Sequence, residues 1–169
     1  DLRQQIIDPG TAYQVVSMLE GVVQRGTGIR IKVIRKPLAG KTGTTNKNRD
    51  TWFMGFSPDL AVGVYIGFDN PRSLGRRETG SSVAVPVFRD FMARALAKRP
   101  AIPFRIPPSI QLVRIAGETG LPAGPNERHV VLEAFKPGTV PNNSGPVLDG
   151  TLAAEAINTR KRAGTGGLY

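Results

Sequence analysis

Apolar and polar positions follow two different rhythms along this chain. From residue 8 the rhythm is helical. Asp8 and Pro9 pair a capping carboxylate with a proline suited to the first turn, and Ala12, Val15, Val16, Leu19, Val22 and Val23 then recur three and four apart. Gly26 suits a C-terminal cap, so an amphipathic helix with this stripe in the core is expected. Residues 27–37, TGIRIKVIRKP, alternate apolar with charged side chains before a proline, which predicts a loop or an exposed edge strand.

The rhythm then becomes that of strands, near 38–46, 51–57 and 60–68. Ser57, Pro58 and Asp59 form a tight turn between the last two, which should make an antiparallel hairpin. Their runs WFMGF and LAVGVYIGF are nearly all apolar, which predicts strands in mid-sheet covered on both faces. Residues 69–82 read as a polar loop. A second helix is expected from residue 83 or 85 to residue 98, with Val87 or Phe88, Phe91, Met92, Ala95 and Leu96 facing the core and Pro100 as its stop. Met92 and the phenylalanines read as packing residues. A proline-rich linker follows, then short strands near 111–115 and 130–135 around ETGLPAGPNE. The organisation expected is a main unit over 1–99, a linker with a small β extension over 100–141, and a disordered Asn-, Ser-, Gly- and Ala-rich tail over 142–169.

Composition narrows the chemistry. Hydrophobic content of 40% and charged content of 21% are those of a packed soluble domain. The absence of cysteine excludes disulfide scaffolds, thiolate metal sites and cysteine nucleophiles, and the single histidine, His129, leaves lysine or a carboxylate as the base for any nucleophile. His129 itself reads as an ordinary surface or turn residue. No metal or other cofactor is implied. No apolar run approaches the roughly 18 residues of a membrane span and no signal peptide heads the chain, so membrane attachment would have to come through an N-terminal anchor lying elsewhere. The chain begins with Asp1, which suggests a part of something longer. The formal charge is +10, and residues 21–49 hold eight basic residues and no acid. Such a stretch would favour phosphates, an anionic lipid surface or an acidic wall polymer, or it is a solvated loop with incidental charge.

The candidate chemistry lies in AGKTGTTN, residues 39–46. The phosphate loop of nucleotide hydrolases needs a glycine where Arg35 stands and a helix directly after the threonine, where strand-forming residues stand instead. Read as a strand, Thr42 and Thr44 share one face and Gly43 leaves room on the other. Two hydroxyls beside a lysine make a receptor for an anion such as a carboxylate, and free strand backbone can pair with an extended peptide. Alternation puts Lys41 off the Thr42 face, so its stem must curl round the strand edge to join them. The bland alternative is an edge strand with a solubilising lysine.

Five blocks, SMLEGVVQRGTG (17–28), AGKTGTTN (39–46), DTWFMGFSPDLAVGVYIGFDNPRSLG (50–75), VPVFRDFM (85–92) and LEAFKPGTVP (132–141), resemble in order and spacing the transpeptidase domain of class A penicillin-binding proteins, from about residue 8 to residue 99, and that domain's short C-terminal extension. The resemblance implies an α+β fold of the serine β-lactamase/DD-transpeptidase type, an antiparallel sheet covered by helices, present here in part. Of the three signatures Ser-x-x-Lys, Ser-x-Asn and Lys-Thr-Gly, only the last is found. None of the seven serines has a lysine three positions on or an asparagine two positions on. This chain is therefore expected to be the C-terminal portion of an enzyme whose nucleophile lies in an N-terminal half, and to be inactive alone.

The resemblance further implies the partners: D-Ala-D-Ala stem peptides of peptidoglycan, β-lactams that imitate them, and the N-terminal half, with no nucleic acid. Lys41 would supply positive charge to the Ser-x-Asn serine and help the proton relay. Thr42 and Thr44 would bind the substrate carboxylate, and the Thr44 N–H would form half of the oxyanion hole. Gly43 would allow close passage of the substrate. Thr45, with Asn46, would lie at the rim, and Trp52 would line the floor or pack in the core. Alone, the segment should show an open sheet edge and an apolar face. Two other classes remain open: a non-catalytic peptide or β-lactam binding module, and a basic nucleic-acid-binding domain, against which the lack of aromatics within the basic run speaks.

Overall fold

The computed structural model describes residues 4–142. The described chain forms two units that divide after Ile110. The first opens with helix α1, Pro9–Arg25. Asp8 caps it as expected, its carboxylate accepting from the Thr11 N–H at 2.8 Å. Gly26 ends it, its N–H donating to Val22 O at 3.1 Å. The glycine is required there by contact, since a Cβ would lie 2.9 Å from the Val22 Cα. Among the described residues no helix is long and apolar enough to cross a membrane.

A 3-10 turn, Ile29–Ile34, stands where a loop or edge strand was expected. The apolar positions follow a period of three: Gly28 and Ile31 are buried and Ile34 is half-buried, while Ile29 and Val33 are exposed. Arg35 closes the turn in the left-handed region at φ 57°. That conformation costs a non-glycine residue on the order of 1 kcal/mol.

Three antiparallel strands follow, β1 (Ala39–Thr44), β2 (Thr51–Phe56) and β3 (Ala61–Ile66), in that spatial order. Gly40 pairs with Gly55, Thr42 with Phe53, Thr44 with Thr51, and Trp52 with Tyr65. The expected turn joins β2 to β3: the Ser57 N–H donates to Leu60 O at 2.8 Å, and Ser57 Oγ accepts from the Leu60 N–H at 3.1 Å. Helix α2, Val85–Ala95, is shorter than expected and is preceded by a π-helical turn, Gly80–Ala84. Thr79 and Ser82 cap that turn reciprocally, so the polar loop ends in a designed helix start.

The core lies between one face of the sheet and the helices: Val23, Ile31, Leu38, Phe53, Val64, Ala84, Val85, Phe88, Met92 and Leu96. Phe53 and Phe88 meet at 4.7 Å between ring centres, tilted by 57°. Such a pair contributes about 0.5–1.5 kcal/mol beyond its buried area. The rings fit because Gly40 and Gly55 face them; a Cβ on Gly55 would lie 2.5 Å from the Phe53 ring and 2.7 Å from that of Phe88.

Two packing expectations are corrected. The α1 stripe is not wholly core: Val23 is buried, Val15 is exposed, and Tyr13, Gly10 and Gly21 supply the rest of the buried surface. On α2, Phe88, Met92 and Leu96 are buried, but Val87 and Phe91 are half exposed. Within this segment β2 and β3 have one open, apolar face, as expected of the segment alone. Thr51, Phe53 and Gly55 alternate with exposed Trp52 and Met54, and Tyr65 is exposed beside them. A run with no polar residue hides this alternation, because tryptophan and methionine read as core wherever they stand.

In the second unit β4 (Gln111–Ala116) and β5 (Val130–Phe135) pair antiparallel, near the expected positions. The expected tail lies outside the described residues from residue 143 onward.

Candidate active site

Among the described residues β1 is an edge strand, which the Lys-Thr-Gly reading requires. Ala39 and Gly40 anchor it in the core, and from Lys41 onward it emerges: Lys41 and Thr44 are exposed, Thr42 and Gly43 half-buried. The register fixes the faces. Lys41 and Gly43 pair with Met54 and Trp52 on the open face, while Thr42 and Thr44 pair with Phe53 and Thr51 on the core face. Lys41 thus starts on the face opposite the hydroxyls, and its Nζ returns to donate to Thr42 O at 3.0 Å. The stem does curl along the edge.

Neither hydroxyl is idle. Thr42 Oγ1 lies 2.9 Å from Thr27 Oγ1, and Thr44 Oγ1 accepts from the Gly80 N–H at 3.0 Å. A hydroxyl that accepts one bond keeps its proton to donate, so Thr44 can still bind an anion. The nearest atoms to a Cβ on Gly43 belong to the Trp52 side chain, the first at 3.2 Å, so a residue larger than glycine would crowd the open face.

Thr45 lies beyond the strand and belongs to a clip. Its N–H donates to Asp50 O at 3.0 Å and its Oγ1 accepts from the Asp50 N–H at 2.9 Å. A 3-10 turn, Asn46–Asn48, spans the clip, with Lys47 and Asn48 at positive φ. The clip fixes Thr45 just past the end of β1. Asp50 also accepts from the Tyr65 hydroxyl at 2.9 Å. That bond, with burial and the charges of Asp50 and Asp69, raises the Tyr65 phenol above its usual range. Trp52, expected in the floor or the core, is 41% exposed on the open face and meets Tyr65 at 4.5 Å between ring centres, tilted by 52°.

The layer behind β1, made of Thr27, Gly80 and Ser81, was not anticipated. Ser81 Oγ donates to Thr27 O at 2.7 Å. Its signal was present as the Thr79-x-x-Ser82 spacing ahead of an apolar run, a capping-box pattern. None of Lys41, Thr42, Gly43, Thr44 and Thr45 lines the apolar cavity of about 480 Å³ between Pro9, Ala12, Tyr13 and Val16 of α1 and Phe104, Pro107 and Pro108. They form an open wall.

An exposed Lys-Thr-Gly-Thr edge strand on an antiparallel sheet backed by helices is the arrangement that the sequence resemblance implies. The family model for the penicillin binding protein transpeptidase domain matches residues 1–93, and the chain belongs to that family. Among named relatives, penicillin-binding protein 1A of Rickettsia conorii is 44% identical over 138 residues, 80% of this chain and 17% of that protein. The protein of the same name from Pseudomonas aeruginosa is 43% identical over 155 residues, 91% of this chain and 19% of that one. The crystal structure of penicillin-binding protein 1A from Haemophilus influenzae matches with a TM-score of 0.72 at 32% identity, over 82% of this chain and 22% of that one. The chain thus carries part of the transpeptidase domain of a class A penicillin-binding protein and spans under a fifth of the length of these two relatives.

Proposed function

We propose that this chain supplies one wall of a peptidoglycan DD-transpeptidase site. A serine from an N-terminal half outside these 169 residues attacks the carbonyl of a D-Ala-D-Ala stem peptide. The terminal D-alanine leaves with a proton, and the acyl group passes to the amine of a neighbouring stem. Lys41 supports the proton relay, Thr42 and Thr44 hold the terminal carboxylate, Gly43 admits the peptide along the edge, and the Thr44 N–H shares the oxyanion hole with the serine's own N–H. Loss of one such donor typically costs about 2.7–4 kcal/mol in the transition state. β-Lactams occupy the same wall and leave a slow acyl-enzyme. Thr45 acts from the rim through its clip to Asp50.

The observation that carries this reading is the exposed strand β1, along whose edge Lys41 Nζ reaches from the open face to donate to Thr42 O at 3.0 Å. The open face bearing Trp52, Met54 and Tyr65 is where the N-terminal half would pack. The site would work on the periplasmic side of the bacterial cytoplasmic membrane, held by an anchor outside this chain.

Labelled penicillin tests the reading. The intact protein should keep the label through denaturation, and this chain alone should not. A label that the intact protein releases on denaturation would favour a non-catalytic binding module.

A further inference from the structure

Resting on that reading, we infer that Gly80 is a positioning residue: its N–H holds the Thr44 hydroxyl with its proton turned away from the turn and available to the ligand's carboxylate. A threonine hydroxyl has one proton and two lone pairs, and a carboxylate can only accept. The Gly80 N–H occupies a lone pair of Thr44 Oγ1 at 3.0 Å, so the proton must point elsewhere. Among the described residues Thr44 Oγ1 has no acceptor of its own, and Thr44 is exposed. The ligand's carboxylate is then the natural acceptor, and the hydroxyl is set before the ligand arrives.

Only glycine allows this bond. A Cβ at position 80 would stand 2.6 Å from Trp52 O and 2.7 Å from Gly43 O, both backbone atoms of the paired strands. The turn is fixed in that place from two sides. The Thr79 N–H donates to Ser82 Oγ at 2.8 Å, and Ser81 Oγ holds Thr27 O at 2.7 Å while the Thr27 hydroxyl meets that of Thr42 at 2.9 Å. Both carboxylate-binding hydroxyls are therefore tied to one turn behind the strand.

The test uses the intact protein and compares acylation by benzylpenicillin with acylation by its carboxamide, which lacks the anionic acceptor. Wild type should prefer the carboxylate. Gly80→Ala should cut that preference by about tenfold, and Thr44→Val should cut it likewise with little further loss in the double variant. A glycine needed only for folding would slow both ligands equally; an unchanged ratio with Gly80→Ala overturns the inference while leaving the proposed function intact. If Gly80→Ala does not fold, Ser81→Ala, which frees the turn without crowding it, should shift the ratio in the same direction, and an unchanged ratio overturns the inference equally. Absence of any covalent adduct on wild type overturns the proposed function itself.

Discussion

Lys41 and Thr42 point to opposite faces of β1, yet Lys41 Nζ lies 3.0 Å from Thr42 O. The bond holds the side chain along the strand edge, beside the path proposed for the ligand. Replacing Lys41 with Met keeps the stem and removes the charge. Hydrogen bonds involving a charged group contribute about 1.5–3 kcal/mol. Acylation of the intact protein by a fluorescent penicillin should fall roughly 10- to 150-fold. An unchanged rate would remove Lys41 from the site.

Gly55 is the floor on which two rings lie. Gly55→Ala puts a methyl 2.7 Å from the Phe88 ring and 2.5 Å from that of Phe53, so the rings must leave their places. Overpacking of this kind costs about 1–3 kcal/mol. A lowered thermal midpoint of the intact protein is expected, and an unaltered one would contradict the packing described.

Thr51 is fully buried, and its hydroxyl has no hydrogen-bond partner among the described residues. Thr51→Val keeps the shape and removes the unpaired group. Stability should rise by about 1 kcal/mol, read as a higher denaturant midpoint at constant slope.

The Tyr65 phenol, raised chiefly by its bond to Asp50, gives a pH signature. A phenol whose folded pKa lies above the unfolded value adds stability that is complete below about pH 10 and fades as the pH climbs through the folded value. Tyr65 should therefore ionise above the usual tyrosine range in an NMR titration. Asp50→Asn should move the transition down, and a Tyr65 transition indifferent to that change would dissolve the Asp50 link.

Much of this was legible in the chain. Asp8, Pro9 and Gly26 announced α1 because capping is local chemistry, and Ser57-Pro58-Asp59 announced the hairpin for the same reason. The Lys-Thr-Gly strand stood out because its residues depart from what a core strand needs. Ile29, Ile31 and Val33 misled because alternation of two and a period of three coincide over so few positions, and burial of Ile31 decided between them. Trp52 and Met54, exposed on the open face, form the apolar surface expected of the segment alone. The Thr79-x-x-Ser82 spacing marked the turn, but not the close backbone approach of Gly80 to Gly43, Thr44 and Trp52, which lie 28 to 37 positions away.

The most direct test is a crystal structure of the intact protein acylated by a penicillin. The account predicts the drug's carboxylate within hydrogen-bonding distance of the Thr42 and Thr44 hydroxyls, with its carbonyl oxygen on the Thr44 N–H. A carboxylate bound on other residues, with β1 turned away from the drug, would contradict it.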